Sequence, residues 1–225
     1  MQVVKITSVS LGIPPYSTLG ATMQLNNAYQ NCNSYIMLTI SDWIKVQQLD
    51  LGKFNRIVFS ECNSTKLDFD CDTMFKNFRV NIAEEFKSLD QFTSAQVTHD
   101  YFKRKYIEGF KRFDAHFGLN LTPQLIAYLD GYFKNGYVYE KEMKSKRVDG
   151  LKHQVLKQYK YDVFNLVLRV FDKSGTLLKE TVLQSGKPDT ISVYYNVNKV
   201  NILEDKIEVL GSTGKVENQY PLTLH

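Results

Sequence analysis

The most constraining feature of the sequence is a stripe of aromatic residues in its middle third. Five rings recur at spacings of four, four, three and four residues: Phe102, Tyr106, Phe110, Phe113 and Phe117. Residues at these spacings lie on one face of an α-helix, so the stripe predicts an amphipathic helix packed on a core. Thr93 or Ser94 can cap its start, and Gly118 suits the left-handed position after its end.

A second helix is predicted directly after the first. Thr122-Pro123 places a capping hydroxyl before a proline at the first helical position, and the helix is expected to run to Asn135-Gly136. The link of residues 119–121 is short, so the two helices are expected to form an antiparallel hairpin.

Short apolar segments with β-branched residues precede the helical pair. They predict a meander of strands, at residues 3–11, 34–40, 56–59, 66–72 and 78–82. Residues 12–33 contain Pro14-Pro15 and little periodicity, which is typical of a long loop.

Beyond the helical pair the hydrophobic period changes to two. Residues 144–152 are interpreted as a charged connection, and residues 161–171 (YDVFNLVLRVF) as a central strand that is apolar on both faces. Asp172–Gly175 predicts a hairpin turn. The later strands are predicted at residues 177–183, 191–197, 200–203 and 206–210, with a last piece after Gly214.

This order of elements predicts the class α+β, with antiparallel sheet regions at both ends flanking a central helical hairpin. We expect one unit over residues 1–225 with a soft boundary near residue 145. The part before that boundary (1–145) would hold strands and the helical hairpin, and the part after it (146–225) an antiparallel meander.

Composition indicates a folded protein of the cytoplasm. The chain is 43% hydrophobic and 23% charged, near globular averages. Residues 1–11 are typical of a strand and not of a signal peptide, and no apolar run reaches the ~20 residues of a membrane helix. The three cysteines form no CxxC pair, which favours a reducing compartment.

The 14 Tyr and 14 Phe favour a rigid core, with a partner surface as the alternative.

Motifs that carry chemistry are missing from the sequence. It contains no P-loop, GxGxxG or GxSxG pattern. His99 and His116 are nearly five turns apart on the first helix, and the adjacent His99 and Asp100 face different ways. The sequence therefore indicates no catalytic residues and no cofactor, and it favours binding over catalysis.

An acidic run offers a candidate binding site. Asp68, Asp70 and Asp72 alternate with apolar residues, so on a strand their carboxylates emerge on one face. A solvated strand face is one interpretation, and a patch that binds a basic protein partner is another. The alternative is a metal-dependent enzyme in which these carboxylates, together with Glu61, hold a divalent ion.

The basic residues of the aromatic helix suggest a second alternative, nucleic-acid binding through helix 94–117. They are Lys103, Arg104, Lys105, Lys111 and Arg112. The formal charge of +4 is mild for such a function. The second helix offers mainly Gln124, Tyr128 and Asp130, which is a poor recognition helix, so nucleic acid is disfavoured as a partner.

The order of segments resembles bacterial immunity-type proteins, cytoplasmic inhibitors that neutralise a cognate toxin. FNRIVFSE and KLDFD lead into the helical pair, followed by YFKNGYVYEKEMKSK and a sheet containing VFDKSGTLLKETVLQSGKPD. The resemblance covers most of the chain without a defining motif, and it implies a non-enzymatic protein that binds and blocks a toxin domain. The chain departs from it in charge, because inhibitors of nuclease toxins are usually acidic.

Tyrosines near the junction of helices and sheet are candidate anchors for such a partner. They are Tyr132, Tyr137 and Tyr139, which join Asp68, Asp70 and Asp72 as the predicted partner-binding residues. Core packing accounts for the three tyrosines equally well.

Overall fold

The computed structural model describes residues 5–14, 22–62 and 76–222. Its helices, its antiparallel sheets and one parallel sheet confirm the predicted α+β class. The chain forms two compact units, Met1–Tyr137 and Val138–His225. The expectation of a single unit with a soft boundary near residue 145 stays a prediction. Within the described ranges, no helix is both long and apolar enough to cross a membrane.

A three-stranded sheet forms one layer of the first unit. Strands β1 (Ser8–Gly12), β2 (Arg56–Glu61) and β3 (Asn77–Ile82) lie in that order, and both pairings are parallel. The antiparallel arrangement predicted for this end of the chain is therefore wrong. Helix α1 (Met23–Gln47) accounts for the first of these pairings, because a helical crossover brings the next strand back in the same direction.

Helix α1 covers residues that the sequence predicted as loop and as strand. Thr22 caps its start by accepting the N–H of Leu25 at 3.2 Å. Its buried side chains recur with the helical period along the whole element, as in Tyr29, Asn33, Ile36, Ile40 and Ile44. The strand predicted at residues 34–40 is wrong, because an apolar run of that length fits a buried helix segment equally well.

Helix α2 (Ala95–Phe117) confirms the helix predicted from the aromatic stripe. The Oγ of Ser94 accepts the N–H of Val97 at 3.3 Å, and Gly118 ends the helix with φ of 64°. Four rings of the stripe are fully buried: Phe102, Tyr106, Phe110 and Phe113. They pack on the sheet, where the ring centroids of Phe59 and Phe110 are 5.2 Å apart.

Helix α3 (Thr122–Tyr132) confirms the second helix, although its start differs from the prediction. Thr122 lies inside the helix and does not cap it. Its hydroxyl instead donates to the carboxylate of Asp114 at 2.7 Å. The same carboxylate also accepts the N–H groups of Leu121 and Thr122. One buried carboxylate on α2 therefore holds the link between the two helices.

The second unit contains a four-stranded antiparallel sheet, as predicted for this end of the chain. Its strands lie in the order β4-β5-β6-β7. Their bounds are Tyr139–Val148, Leu151–Tyr159, Phe164–Phe171 and Leu177–Gly186. The charged connection predicted at residues 144–152 is wrong, because Asp149 and Gly150, with φ of 51° and 80°, form a two-residue hairpin turn.

A short helix and a second antiparallel sheet complete this unit. Helix α4 (Thr190–Asn196) replaces the strand predicted at residues 191–197. The carboxylate of Asp189 caps this helix by accepting the N–H groups of Ile191 and Ser192 at 2.9 and 3.2 Å, and Val193 on its inner side is buried. The sheet has the order β10-β9-β8, with bounds Lys199–Ile202 (β8), Lys206–Leu210 (β9) and Val216–Pro221 (β10).

Candidate functional site

The predicted acidic site lies outside the described residues. Asp68, Asp70 and Asp72 all fall between residues 63 and 75. Their proposed role, toward a partner or toward a metal ion, stays a prediction. In the part of the chain that is described, no group of three or more His, Cys, Asp or Glu side chains is placed to hold a metal ion.

Glu61, the fourth carboxylate of the metal hypothesis, lies fully buried at the end of β2. Its Oε2 accepts the N–H groups of Glu85 and Phe86 at 3.0 and 3.1 Å. The hydroxyls of Tyr29 and Tyr101 also donate to it, the second at 2.6 Å. Burial, followed by the nearby Glu61 charge, raises the pKa of both tyrosines. Glu61 therefore links α1, α2 and the loop that contains Glu85 and Phe86 to the sheet. A metal ion bound by Glu61 would have to displace these hydrogen-bond donors.

The three tyrosines predicted as anchors have different surroundings. Tyr139 is buried in the second unit, at 4% exposure, with its ring centroid 6.2 Å from that of Tyr159. Tyr132 and Tyr137 are half-buried in the first unit, where Tyr137 stacks on His99 with centroids 4.3 Å apart. Core packing accounts for Tyr139, and partner binding by the other two stays a prediction.

The basic side chains of α2 are mostly neutralised by acidic neighbours. Lys103 pairs with Asp130, and Arg104 and the fully buried Lys105 both pair with Glu85. Arg112 pairs with Glu108 at 3.4 Å and donates to the backbone oxygen of Asn81 at 2.9 Å. Of the five basic residues, only Lys111 has no ion pair with the described part of the chain. The expectation that nucleic acid is not a partner stays a prediction.

A surface that the sequence did not predict lies on α4 of the second unit. Ile191, Tyr194 and Tyr195 are 65%, 56% and 59% exposed. Their positions fall within one face of the helix, and the two tyrosine rings are in edge-to-face contact with centroids 5.6 Å apart. We call these three side chains the α4 surface.

The α4 surface is held in place by the opposite side of its helix. Val193 and, just beyond the helix, Val197 are 5% and 1% exposed, and they anchor it in the core. The backbone oxygen of Tyr195 accepts the N–H of Ser212 at 2.9 Å. Beside the helix lies a cleft of about 190 Å³, lined by Phe164 and Gly186 and by Val193 and Val197. The surface is therefore fixed before any partner arrives, which lowers the entropic cost of binding.

The edge strand β7 also exposes apolar side chains, but it is a poorer binding surface. Leu177, Leu178 and Val182 are 47%, 56% and 51% exposed. The pairing register with β6 shifts twice, so that Leu178 and Leu183 are bulged residues. Bulges interrupt an edge and hinder the addition of another strand.

The α4 surface combines large, mainly apolar side chains with a fixed backbone. Such a combination suits recognition of a partner. The sequence carries one signal for it, the capping residue Asp189 after Pro188, followed by apolar residues that the helix divides between two faces. Searches of protein families, curated proteins and solved structures find nothing that matches this chain.

Proposed function

We propose that this protein is a non-enzymatic protein-binding protein and that the α4 surface is its principal contact. The observation that carries the proposal is the exposure of Ile191, Tyr194 and Tyr195, each more than half exposed, on one face of an anchored helix. Tyrosine is enriched among the residues that dominate binding energy, since it supplies a large ring with few rotatable bonds.

Grouping distinguishes this surface from ordinary exposed apolar residues. Met23, Val46 and Val97 of the first unit are also exposed, at 78%, 75% and 46%. They lie at separate positions on α1 and α2, and scattered apolar residues of this kind are normal on protein surfaces. A partner that covers three large adjacent side chains on one helical face removes more apolar area from water than one that covers a single scattered side chain.

The finer proposal is that the partner is a bacterial toxin domain and that binding blocks it. The resemblance to immunity-type proteins supports this idea through the helical pair that leads into an antiparallel sheet. The N-terminal meander on which the resemblance also drew is replaced by a parallel sheet, so the support now comes from residues 95–221. Blocking by occlusion needs only a standard-size interface, without a reactive group.

The test begins with capture of a partner from an extract of the source cells, followed by purification of that partner. Titration calorimetry then compares the natural protein with the double variant Tyr194→Ala/Tyr195→Ala. The loss of two anchoring rings is expected to weaken binding at least about thirtyfold. The control is Met23→Ala/Val46→Ala, which removes two apolar side chains that are even more exposed and is expected to leave the affinity unchanged.

Equal affinities for the two double variants would refute the α4 surface as the contact. The toxin proposal is tested separately, by measuring the activity of the purified partner as this protein is added. Complete inhibition at equimolar ratio is expected, and a partner that keeps its activity when fully bound would contradict the toxin proposal while leaving protein binding intact.

A further inference from the structure

A polar cleft of about 290 Å³ lies in the first unit, between the first turns of α2 and the end of α3. Its polar lining comes from both helices and from the residues just after α3: Gln96, His99, Asp100, Lys103, Asp130 and Lys134. Phe133 and Tyr137 supply aromatic surface at one side. The function proposed above does not use this cleft.

The charges of the cleft are balanced and are presented in opposite pairs. Helix α2 contributes Asp100 and Lys103, and α3 with the residues after it contributes Asp130 and Lys134. Lys103 and Asp130 pair with each other, and the Nε2 of Gln96 donates to Asp100 at 2.7 Å. Lys134 is exposed and forms no ion pair with the residues that the structure describes. A second oxygen of each aspartate and the Lys134 ammonium are thus available to a ligand.

His99 forms the floor of the cleft. It is 5% exposed, and its ring lies between Tyr137, stacked at 4.3 Å, and Phe133, edge-on at 4.8 Å. Burial, followed by the charge of Lys103, lowers the pKa of His99 to about 4, so the ring is neutral near pH 7. Its Nδ1 lies 3.4 Å from the hydroxyl of Tyr35.

In this contact either group can donate, depending on the tautomer of His99. Burial raises the pKa of Tyr35, so its hydroxyl keeps its proton, and Nδ1 is the acceptor that the described residues offer it. With Tyr35 as the donor, the ring proton resides on Nε2. A ligand oxygen in the cleft can accept a hydrogen bond from this N–H.

We propose that this cleft binds a small zwitterion of the α-amino acid class. The ligand carboxylate is held by the Nε2–H of His99 and the ammonium of Lys134, and the ligand ammonium is held by Asp100. A ligand with only one sign of charge would meet groups of like charge in the same cleft, whereas a zwitterion complements both signs. The volume of about 290 Å³ suits a molecule of this size.

The experiment uses the full chain and a panel of free amino acids at about 10 mM, with acetate and methylamine as singly charged probes. Binding is followed by thermal unfolding, because a ligand of the native state raises its stability. The ring protons of His99 are followed by NMR, since a shift there locates the ligand in the cleft. At least one amino acid is expected to stabilise the protein and to shift the His99 signals, while acetate and methylamine do neither.

Two exposed substitutions test the named contacts without disturbing the core. Lys134→Ala and Asp100→Asn are each expected to weaken binding about tenfold or more, since each removes a charge-assisted hydrogen bond. The control is Lys111→Ala, another exposed lysine, which lies on α2 outside the cleft. The proposal is overturned if no amino acid shifts the His99 signals, if acetate alone reproduces the effect, or if both cleft variants bind as tightly as the control.

Discussion

The close approach of α2 to the sheet at Gly109 makes a sharp prediction about stability. A Cβ atom added at Gly109 would lie 2.4 Å from Cδ1 of Phe59 and 2.6 Å from its Cε1. The ring cannot retreat, because Phe59 is fully buried and packs against Tyr106 and Phe110, with centroids 6.0 and 5.2 Å away. Gly109→Ala therefore forces the helix away from β2.

The size of the effect is a difference between two opposing terms. Overpacking of a core by one methyl group costs about 1–3 kcal/mol, and a contact as short as 2.4 Å to a fixed ring belongs at the upper end. Alanine gains about 1 kcal/mol over glycine in a helix interior. The free energy of unfolding of the first unit is therefore expected to fall by about 2 kcal/mol.

Gly131 on α3 provides a matched control. It also lies inside a helix, but a Cβ atom there meets nothing within 4 Å. Gly131→Ala should therefore keep only the helix-propensity gain and stabilise the unit by about 0.5 kcal/mol, since the position is near the end of the helix. The two identical substitutions are thus expected to have opposite signs.

Urea unfolding followed by tryptophan fluorescence measures both variants. Trp43, the single tryptophan, is buried with its ring centroid 5.8 Å from that of Phe110, so it reports on this core. With a slope of about 2 kcal/mol per molar urea, the Gly109→Ala midpoint should fall by about 1 M. A Gly109→Ala protein as stable as Gly131→Ala would refute the packing of α2 on Phe59.

Two further predictions concern buried polar groups of the first unit. Glu61→Ala leaves the hydroxyls of Tyr29 and Tyr101 and two backbone N–H groups without their acceptor, so the unit should lose at least about 3 kcal/mol in urea unfolding. A loss below about 1 kcal/mol would contradict that role. The pKa of His99 is about 4 in the folded state and 6.5 in the unfolded state, so the unfolded state takes up its proton at a higher pH. The free energy of unfolding should therefore fall as the pH drops from about 6.5 towards 4. After allowance for solvent screening, this loss of unfolding free energy amounts to about 2 kcal/mol. The urea midpoint of the His99→Gln variant should therefore depend less on pH than that of the natural protein.

Local patterns in the sequence determined the central helices and the antiparallel strands that follow them. The aromatic stripe of α2, the cap at Ser94 and the left-handed Gly118 are short-range signals, and each is found where the spacing predicted it. Strands β6 and β7 of the second unit were found for the same reason, since alternation is visible within a few residues. Strands β4 and β5 were missed, because residues 144–152 were interpreted as a charged connection. The hairpin at Asp149-Gly150 also had a local signal, which the charged residues around it obscured.

The α4 surface could not be predicted with the same means. The segment ISVYYNV alternates enough to suggest a strand, and only the cap by Asp189 together with the burial of Val193 and Val197 makes it a helix. Which of its large side chains face solvent depends on what the rest of the unit covers. Of the anchors suggested by the sequence, Tyr139 lies in the core for that same reason.

The sequence by itself determined where helices α2 and α3 lie and that the chain mixes helices with sheet, because those properties depend on neighbours a few residues apart. Tertiary structure alone decided the parallel direction of β1, β2 and β3, the burial of Glu61 and the meeting of His99 with Tyr35 and Tyr137. Each of these depends on contacts between residues far apart in the chain. The stabilising free energy of these contacts comes from burial and from complementary hydrogen-bonding partners. Neither can be inferred from the residues that are adjacent in the sequence.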